Sequence, residues 1–198
     1  MKQEFYERLR EILEEEGQVQ TDEPLKKHTT FRIGGPAKYF CLPKTPQQLS
    51  GIIAACRTFG EDYYILGNGS NILVSDKGYN GVVIQLFQNW NEIRTEGQTL
   101  YARSGALLVK AAHIAAREGL TGLEFASGIP GTLGGALVMN AGAYGGEMKD
   151  VVKKALVLKE DGEQIWLSGD ELALGYRTSS IARNHYIVLE VVLELKQG

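Results

Sequence analysis

The chain has 198 residues, of which 43% are hydrophobic and 23% charged, a balance typical of one large soluble domain or two small lobes. With a net charge of −3, nothing suggests nucleic-acid binding through a basic surface, and no apolar run reaches the 18 residues that a transmembrane helix needs. The charged start MKQEFYERLR is not typical of a signal peptide, and Cys41 and Cys56 form neither a C-x-x-C pattern nor a metal-ligand cluster. We therefore expect a cytoplasmic protein without a metal site, a membrane segment or a nucleic-acid partner.

Hydrophobic periodicity and turn residues predict helices and strands in alternation along the chain. The expected elements are a helix at 3–16 stopped by Gly17, a strand at 37–42, a helix from Thr45 to Gly60, strands at 63–66, 72–75, 81–86 and 99–104, a helix at 107–118, a helix from Pro130 to Met139, a hairpin of 151–159 with 164–167, a short helix after the capping box at 168–171, and a strand at 186–195. The helix from Thr45 carries an N-cap, a proline at its first position and a glycine stop. Cys56 lies on its apolar stripe and is expected to be a buried thiol.

Glycine is concentrated in the stretch GLEFASGIPGTLGGALVMNAGAYGGE, which places eight glycines between Gly122 and Gly146. Glycine weakens helices and strands, so this density indicates a backbone with unusual φ/ψ or a close approach to another group. The apolar residues within the stretch can anchor it in a core while its glycines face a ligand. A glycine-rich helix crossing flanked by turns would also explain the pattern.

A second glycine segment, Gly67-Asn-Gly-Ser-Asn71, follows a predicted strand and offers consecutive backbone N–H groups of the kind that bind phosphate oxygens. It lacks the third glycine and the following helix of a dinucleotide fingerprint, and it lacks the Gly-Lys-Ser/Thr of a Walker A loop. A plain tight turn explains this segment equally well on its own. Together with Ser127-Gly-Ile-Pro-Gly131, which is expected to open a helix, it predicts two surfaces that hold an extended diphosphate through backbone contacts and a helix N-terminus.

Three motifs carry a resemblance to a known family: GNGSNILVSDKGYNGVVIQL, GLEFASGIPGTLGGALVMNAGAYGGEMKDV and GYRTSS, in that order, after the opening HTTFRIGGPA. The chain resembles the UDP-N-acetylenolpyruvoylglucosamine reductases over about residues 28–195. That family reduces a peptidoglycan precursor with FAD and NADPH. The long middle motif is specific to the family, whereas the first loop is shared with other flavoproteins of the vanillyl-alcohol-oxidase type.

The resemblance implies an α+β, two-lobed FAD-binding fold of the vanillyl-alcohol-oxidase/PCMH type. An N-terminal helix would occupy 1–21, a smaller lobe 22–88 and a larger lobe 89–198, with FAD between the lobes. By resemblance, the residues that hold the pyrophosphate are Gly67, Asn68, Gly69, Ser70 and Asn71. Those that line the rest of the cofactor are Ser127, Gly128, Ile129, Pro130, Gly131, Asn140, Ala141 and Gly142. The first loop carries no histidine, so we expect non-covalent FAD, and we expect Gly69→Val to abolish binding while leaving the fold largely intact.

The family reaction reduces an enolpyruvyl ether to a lactyl ether, with hydride passing from NADPH through FAD to the vinyl carbon. Negative charge then develops beside the substrate carboxylate, where a fixed arginine is effective because its planar fork binds a carboxylate bidentately. Arg177 of Gly-Tyr-Arg matches the family's catalytic arginine, although without the resemblance it would be read as a surface residue. Tyr176 either orients the UDP-sugar substrate or packs.

The family's proton donor, a serine assisted by a glutamate, belongs to a further C-terminal domain, and no serine of this chain lies in the corresponding motif. The resemblance therefore implies a portion that binds FAD but is deficient in full turnover. It also predicts self-association through the surface that the missing domain would cover. Two alternatives stay open: another flavoenzyme domain of the same fold, and a non-catalytic flavin-binding module.

Overall fold

A computed structural model describes residues 2–198, and these divide into two compact units. The first unit runs as far as Asn89 and includes Glu160–Gly162, while the second comprises Trp90–Lys159 and Glu163–Gly198. Each unit contains its own helices and its own main sheet. No helix within the described range has both the length and the apolar character that crossing a lipid bilayer requires.

The first unit is a four-stranded sheet with two helices. Its elements are α1 (Lys2–Leu13), β1 (Val19–Pro24), β2 (Pro36–Cys41), α2 (Pro46–Phe59), β3 (Tyr63–Leu66) and β4 (Tyr79–Gln85). The strand order is β1-β2-β4-β3, in which β1 is antiparallel to β2 while β2, β4 and β3 run parallel. The parallel strands all end at one edge of the sheet, so the loop that follows β3 begins at that edge.

Helix α2 has the ends that its sequence predicts. The hydroxyl of Thr45 accepts a hydrogen bond from the Gln48 amide, and Pro46 stands in the first turn. Gly60 closes the helix in a left-handed conformation with φ +68°. Cys56 is buried as expected, and burial raises the pKa of its thiol to about 12, so the unreactive protonated form dominates.

The second unit is built on a five-stranded antiparallel sheet. Its elements are β5 (Ile93–Glu96), β6 (Thr99–Arg103), α3 (Leu108–Arg117), β7 (Leu120–Thr121), α4 (Leu133–Val138), β8 (Gly142–Ala143), β9 (Gly146–Glu147), β10 (Val152–Leu158), β11 (Gln164–Ser168), α5 (Ser180–Arg183), β12 (Ile187–Glu194) and β13 (Lys196–Gln197). The strand order β11-β10-β12-β6-β5 places the apolar β12 at the centre. Helices α3 and α4 pack into the same apolar core as β12, which fixes the glycine-rich stretch around α4 to a rigid support.

Two predictions for the first unit are wrong, namely the end of its first helix and the strand at 72–75. Helix α1 ends at Leu13, three residues early, because Glu14 adopts a left-handed φ of +63° and its amide bonds back to Arg10. Residues 72–75 form no strand; instead Val74 packs closely against the backbone of Gly34, and the carbonyl of Ser75 accepts from Gly35. Instead of pairing as a strand, this segment packs against the turn at Gly34 and Gly35. The local sequence does not indicate this contact, because the turn lies far away along the chain.

The capping box at Ser168 forms, with the Ser168 amide donating to Glu171 at 2.8 Å, but no helix follows it. Ala173 has a left-handed φ of +44°, which ends the segment after a single turn. Strands β1 and β5 were not predicted because their sequences are polar and carry weak alternation. The two-residue strands β7, β8, β9 and β13 were not predicted either.

Candidate functional site

The loop Gly67–Asn71 follows β3 directly and is folded around a close backbone contact. Gly69 has φ +68°, and a Cβ built on it would lie 2.0 Å from the carbonyl oxygen of His28. Its own carbonyl accepts a hydrogen bond from the Thr30 amide at 3.1 Å. Glycine is therefore required at position 69 by the protein itself, and our expectation that Gly69→Val would leave the fold intact is wrong.

The segment against which Gly69 packs is itself held by His28. The imidazole stacks on Phe40 with ring centroids 4.2 Å apart, and its Nε2 lies 2.9 Å from the carboxylate of Glu23. Burial alone would raise the pKa of Glu23, but hydrogen bonds from His28 and Lys27 outweigh it and lower that pKa. The carboxylate is thus ionised near neutral pH and anchors the imidazole under the loop.

The same loop presents backbone donors without protein acceptors. Within residues 2–198, the N–H groups of Asn68, Gly69 and Ser70 donate to no backbone or side-chain acceptor. Buried N–H groups are normally paired, so consecutive unpaired ones in a mostly covered loop fit the oxygens of a bound phosphate. Gln85 lies beside them: its Nε2 bonds to the Gly67 carbonyl at 3.4 Å, and its buried Oε1 has no partner among the described residues.

The segment Ser127–Gly131 of the second unit leaves free space around one of its glycines, whereas Gly69 in the first loop is in close contact with protein atoms. The Ser127 hydroxyl donates to the Glu124 carbonyl at 2.8 Å, and Ile129 packs against the core, so the residues on either side of Gly128 are held in place. Between them Gly128 is exposed, and a Cβ built on it would meet no described atom within 4 Å. Nothing in the described protein requires glycine there, which is consistent with space kept for a ligand.

The helix that follows this turn begins later than predicted. Pro130 is exposed and lies outside α4, whereas Gly131 has a non-helical φ of +134° and Thr132 forms the N-cap. The first α4 amides, those of Leu133 and Gly134, donate to Ala106 and Ser104 at 2.8 Å. Because protein carbonyls occupy these donors, the predicted use of the helix N-terminus for a phosphate is wrong.

The residues after α4 are held by the protein. Asn140 is 3% exposed and Ala141 5% exposed, and the Ala141 amide donates to the Ala136 carbonyl at 2.8 Å. Gly142 pairs with Glu147 in the small hairpin of β8 and β9, where a Cβ would lie 2.7 Å from the Gly146 carbonyl. These three predicted cofactor residues thus have structural roles of their own.

Arg177 lies at the tip of a two-residue turn between Gly175 and Thr178. The Thr178 amide donates to the Gly175 carbonyl at 3.3 Å, and the Gly175 amide to the Thr178 carbonyl at 3.1 Å. Arg177 has a left-handed φ of +53°, which costs about 1–3 kcal/mol for a non-glycine residue. Its guanidinium lies 5.9 Å from the ring of Tyr176, which is 91% exposed and does not pack in a core.

The comparisons with known proteins decide the family. The sequence pattern of a family described as "FAD binding domain" matches residues 37–168. The chain belongs to this family of FAD-binding domains. FAD was the cofactor expected from the sequence, and membership in the family confirms it at this level.

Several of the similar proteins are reductases. One, UDP-N-acetylenolpyruvoylglucosamine reductase of Alkaliphilus metalliredigens, is 49% identical over 197 residues, 100% of this chain and 64% of its own length. The crystal structure of the corresponding reductase from Thermus caldophilus has a TM-score of 0.73 at 36% identity, covering 90% of this chain and 62% of that protein. This FAD-binding domain therefore spans less than two thirds of the reductases it matches.

A more distant structure supports the fold alone. A p-cresol methylhydroxylase structure has a TM-score of 0.73 at 12% identity and covers 98% of this chain and 43% of that protein. Together with the reductase structure, it confirms the predicted α+β FAD-binding fold. The residues expected to contact the cofactor lie on both units of this FAD-binding domain, and their contacts with it stay a prediction.

Proposed function

We propose that this chain is the FAD-binding part of a UDP-N-acetylenolpyruvoylglucosamine reductase that acts in the cytoplasm with NADPH as hydride donor. The observation that carries the proposal is the 49% identity to such a reductase over the full chain. The substrate would be the enolpyruvyl ether of a UDP-sugar, and the product the corresponding lactyl ether used for peptidoglycan. FAD, when bound, supplies the transfer of hydride from NADPH to the vinyl carbon.

The chain's own residues would bind this cofactor mainly through backbone groups. The unpaired N–H groups of Asn68, Gly69 and Ser70 suit the pyrophosphate, as does their position after a parallel strand. The open turn at Gly128 lets an aromatic ring or a ribityl chain approach the backbone closely. The absence of a histidine or cysteine in Gly67–Asn71 supports a non-covalent complex.

Arg177 would stabilise the charge that develops on the substrate carboxylate. Its side chain is exposed and forms no ion pair within residues 2–198, so it is available to an incoming carboxylate. The left-handed backbone at Arg177 supports a functional role for this residue, since strained backbone of this kind is concentrated at functional sites. The exposed ring of Tyr176 is available to orient the same substrate.

The proton for the carbanion carbon would come from outside the region that this chain shares with the reductases. The Ser127 and Ser179 hydroxyls donate to backbone carbonyls at 2.8 Å and 2.6 Å, and the Ser104 and Ser180 hydroxyls are buried. A general acid must reach the atom that it protonates, and each of these four hydroxyls is either bonded to a backbone carbonyl or buried. We therefore expect residues 1–198 to bind FAD but to turn over substrate negligibly.

Self-association is a further part of the proposal. Large apolar side chains are exposed on both units, among them Phe31, Leu73, Tyr144 and Tyr176. Their number favours a covering partner or a second copy of the chain. Light scattering of the FAD-loaded protein over a range of concentrations tests this, and a monomer at all concentrations would contradict it.

The proposal is tested by loading the chain with FAD and following NADPH oxidation with and without the enolpyruvyl UDP-sugar. We expect flavin absorbance on the purified protein and no substrate-dependent rate. A rate near that of a complete family enzyme would mean that a proton donor lies within this chain. The absence of any flavin binding would reject the proposal and both flavin alternatives.

In the complete enzyme that carries this sequence, Arg177→Lys should lower turnover by roughly 10²-fold, the loss typical of one oriented electrostatic donor. Reduction of the flavin by NADPH should be unaffected, because that step involves no substrate carboxylate. Arg117→Lys, at the exposed end of α3 in the same unit, is the matched control and should have no effect. Normal turnover in the Arg177 variant would remove this residue from the mechanism.

A further inference from the structure

Asn140 uses every polar group of its side chain inside the protein. Its Nδ2 donates to a Glu147 carboxylate oxygen at 2.7 Å and to the Gly175 carbonyl at 3.1 Å. Its Oδ1 accepts from the Lys149 amide at 2.9 Å. The residue is only 3% exposed, so these contacts are shielded from water.

The Gly175 carbonyl is the base of the turn that carries Arg177. The same oxygen closes the turn by accepting from the Thr178 amide at 3.3 Å. On the far side, the Ser179 hydroxyl donates to the Val138 carbonyl at 2.6 Å and caps α5 by accepting from the Ala182 amide at 3.1 Å. Both ends of the Arg177 turn are therefore bonded to the end of α4, one to its last residue, Val138, and the other to Asn140, two positions further along the chain.

We propose that Asn140 is a positioning residue, which fixes the Arg177 turn to the C-terminal end of α4 rather than contacting the cofactor as its motif suggested. This inference rests on the proposed role of Arg177. An exposed arginine on a two-residue turn can adopt many directions, and effective electrostatic stabilisation requires a charge that is already oriented. The hydrogen bond from Asn140 to the Gly175 carbonyl restricts the motion of the turn at its first residue.

Asparagine is suited to this position for two reasons. Its carboxamide supplies both a donor pair and an acceptor, which Asp, Ala and Gly do not. It also tolerates the left-handed φ of +43° found at position 140 better than most residues. Asn140→Gly keeps the backbone conformation and removes all three side-chain bonds, while Asn140→Asp keeps the shape and removes the two donors.

The first experiment measures amide hydrogen exchange by NMR in the FAD-loaded chain, with FAD affinity measured on the same samples. In Asn140→Gly, exchange at the Thr178 amide should be at least tenfold faster, while the Kd for FAD changes less than threefold. Asn184→Asp is the matched control: Asn184 also donates to a backbone carbonyl, that of Ser180 at 2.9 Å, and should leave the Thr178 amide unchanged. Unchanged Thr178 exchange together with a tenfold rise in the Kd would overturn the proposal and identify Asn140 as a cofactor contact.

A second variant provides a readout that general destabilisation would not produce. In N140D the new carboxylate faces the Glu147 carboxylate and the Gly175 carbonyl, and the Glu147 carboxylate is also paired with the Lys149 ammonium. Protonation of one carboxyl restores a donor, so the protection factor at Thr178 should recover as the pH falls from 8 towards 5. In the unsubstituted chain it should stay constant over that range. Two outcomes would contradict the role assigned to the Asn140 donors. One is a Thr178 protection factor in N140D that stays low down to pH 5, and the other is a protection factor at pH 8 equal to that of the unsubstituted chain.

In the complete enzyme, N140D should lower kcat by at least tenfold at pH 8 and leave the KM for NADPH unchanged. If the unsubstituted enzyme shows no substrate-dependent NADPH oxidation, the proposed function fails while the exchange results still decide whether Asn140 holds the turn. If the enzyme is active and N140D retains full kcat despite a loosened turn, the positioning role is rejected.

Discussion

The two glycine-rich segments look alike in sequence but use their glycines for different reasons. In the loop after β3, Gly69 is pressed against the carbonyl of His28, so the protein itself excludes a side chain. In the turn before α4, Gly128 faces no described atom within 4 Å. A high density of glycine therefore indicates unusual backbone in both units. Contacts within the described protein explain the glycine at position 69, but they do not explain the glycine at position 128.

The largest effect is expected for Gly69→Ala, which should destabilise the first unit by at least about 3 kcal/mol and abolish FAD binding with it. The cause is the combination of a left-handed φ with a Cβ placed 2.0 Å from a backbone oxygen. Thermal unfolding of the apoprotein measures the change. Gly60→Ala is the matched control, since Gly60 shares the φ of +68° in the same unit but has nothing within 4 Å. It should cost only about 1–2 kcal/mol, and equal losses in the two variants would mean that the contact with His28 does not matter.

Gly128→Val should weaken FAD binding by about tenfold or more, which corresponds to about 1.4 kcal/mol, and leave the unfolding temperature nearly unchanged. The reason is that the new side chain fills space that the described protein leaves empty. Flavin fluorescence titration measures the affinity. If the Val variant binds FAD as tightly as the unsubstituted chain, the space at position 128 does not serve the cofactor.

The smallest effect is expected for Gly135→Ala, inside α4 and exposed. Its Cβ would meet only the Thr132 hydroxyl at 3.6 Å, an ordinary contact. Replacing a helical glycine by alanine should stabilise the protein by about 0.5–1 kcal/mol without changing the affinity for FAD. A loss of affinity here would instead extend the ligand surface along α4, beyond the residues that the sequence indicated.

The sequence predicted best where structure is decided locally. Helix α2 has the predicted start and stop because Thr45, Gln48 and Gly60 act within a few residues of each other. Pro130 misled the prediction of α4, because the preference of proline for a first helical turn was overruled by Gly131 and by the N-cap at Thr132. Whether a proline starts a helix depends on the residues next to it, and the preference of a single residue type does not take those neighbours into account.

The candidate site was predictable as a set of motifs but not as a set of roles. The resemblance indicated Asn140 and Arg177 separately, more than thirty positions apart. Their connection through the Gly175 carbonyl depends on tertiary packing around α4. The same holds for Gly69, whose contact with His28 joins residues 41 positions apart and cannot be seen in the loop sequence alone.

The left-handed backbone at Arg177 has a consequence for protein engineering. A redesign that scores each residue by its fit to the local backbone would choose glycine at this position, because the third residue of such a turn needs a positive φ. That choice would raise the melting temperature and delete the guanidinium. Selection for thermal tolerance and selection for the proposed chemistry therefore favour different residues at 177, and a stabilised library of this domain should hold position 177 fixed.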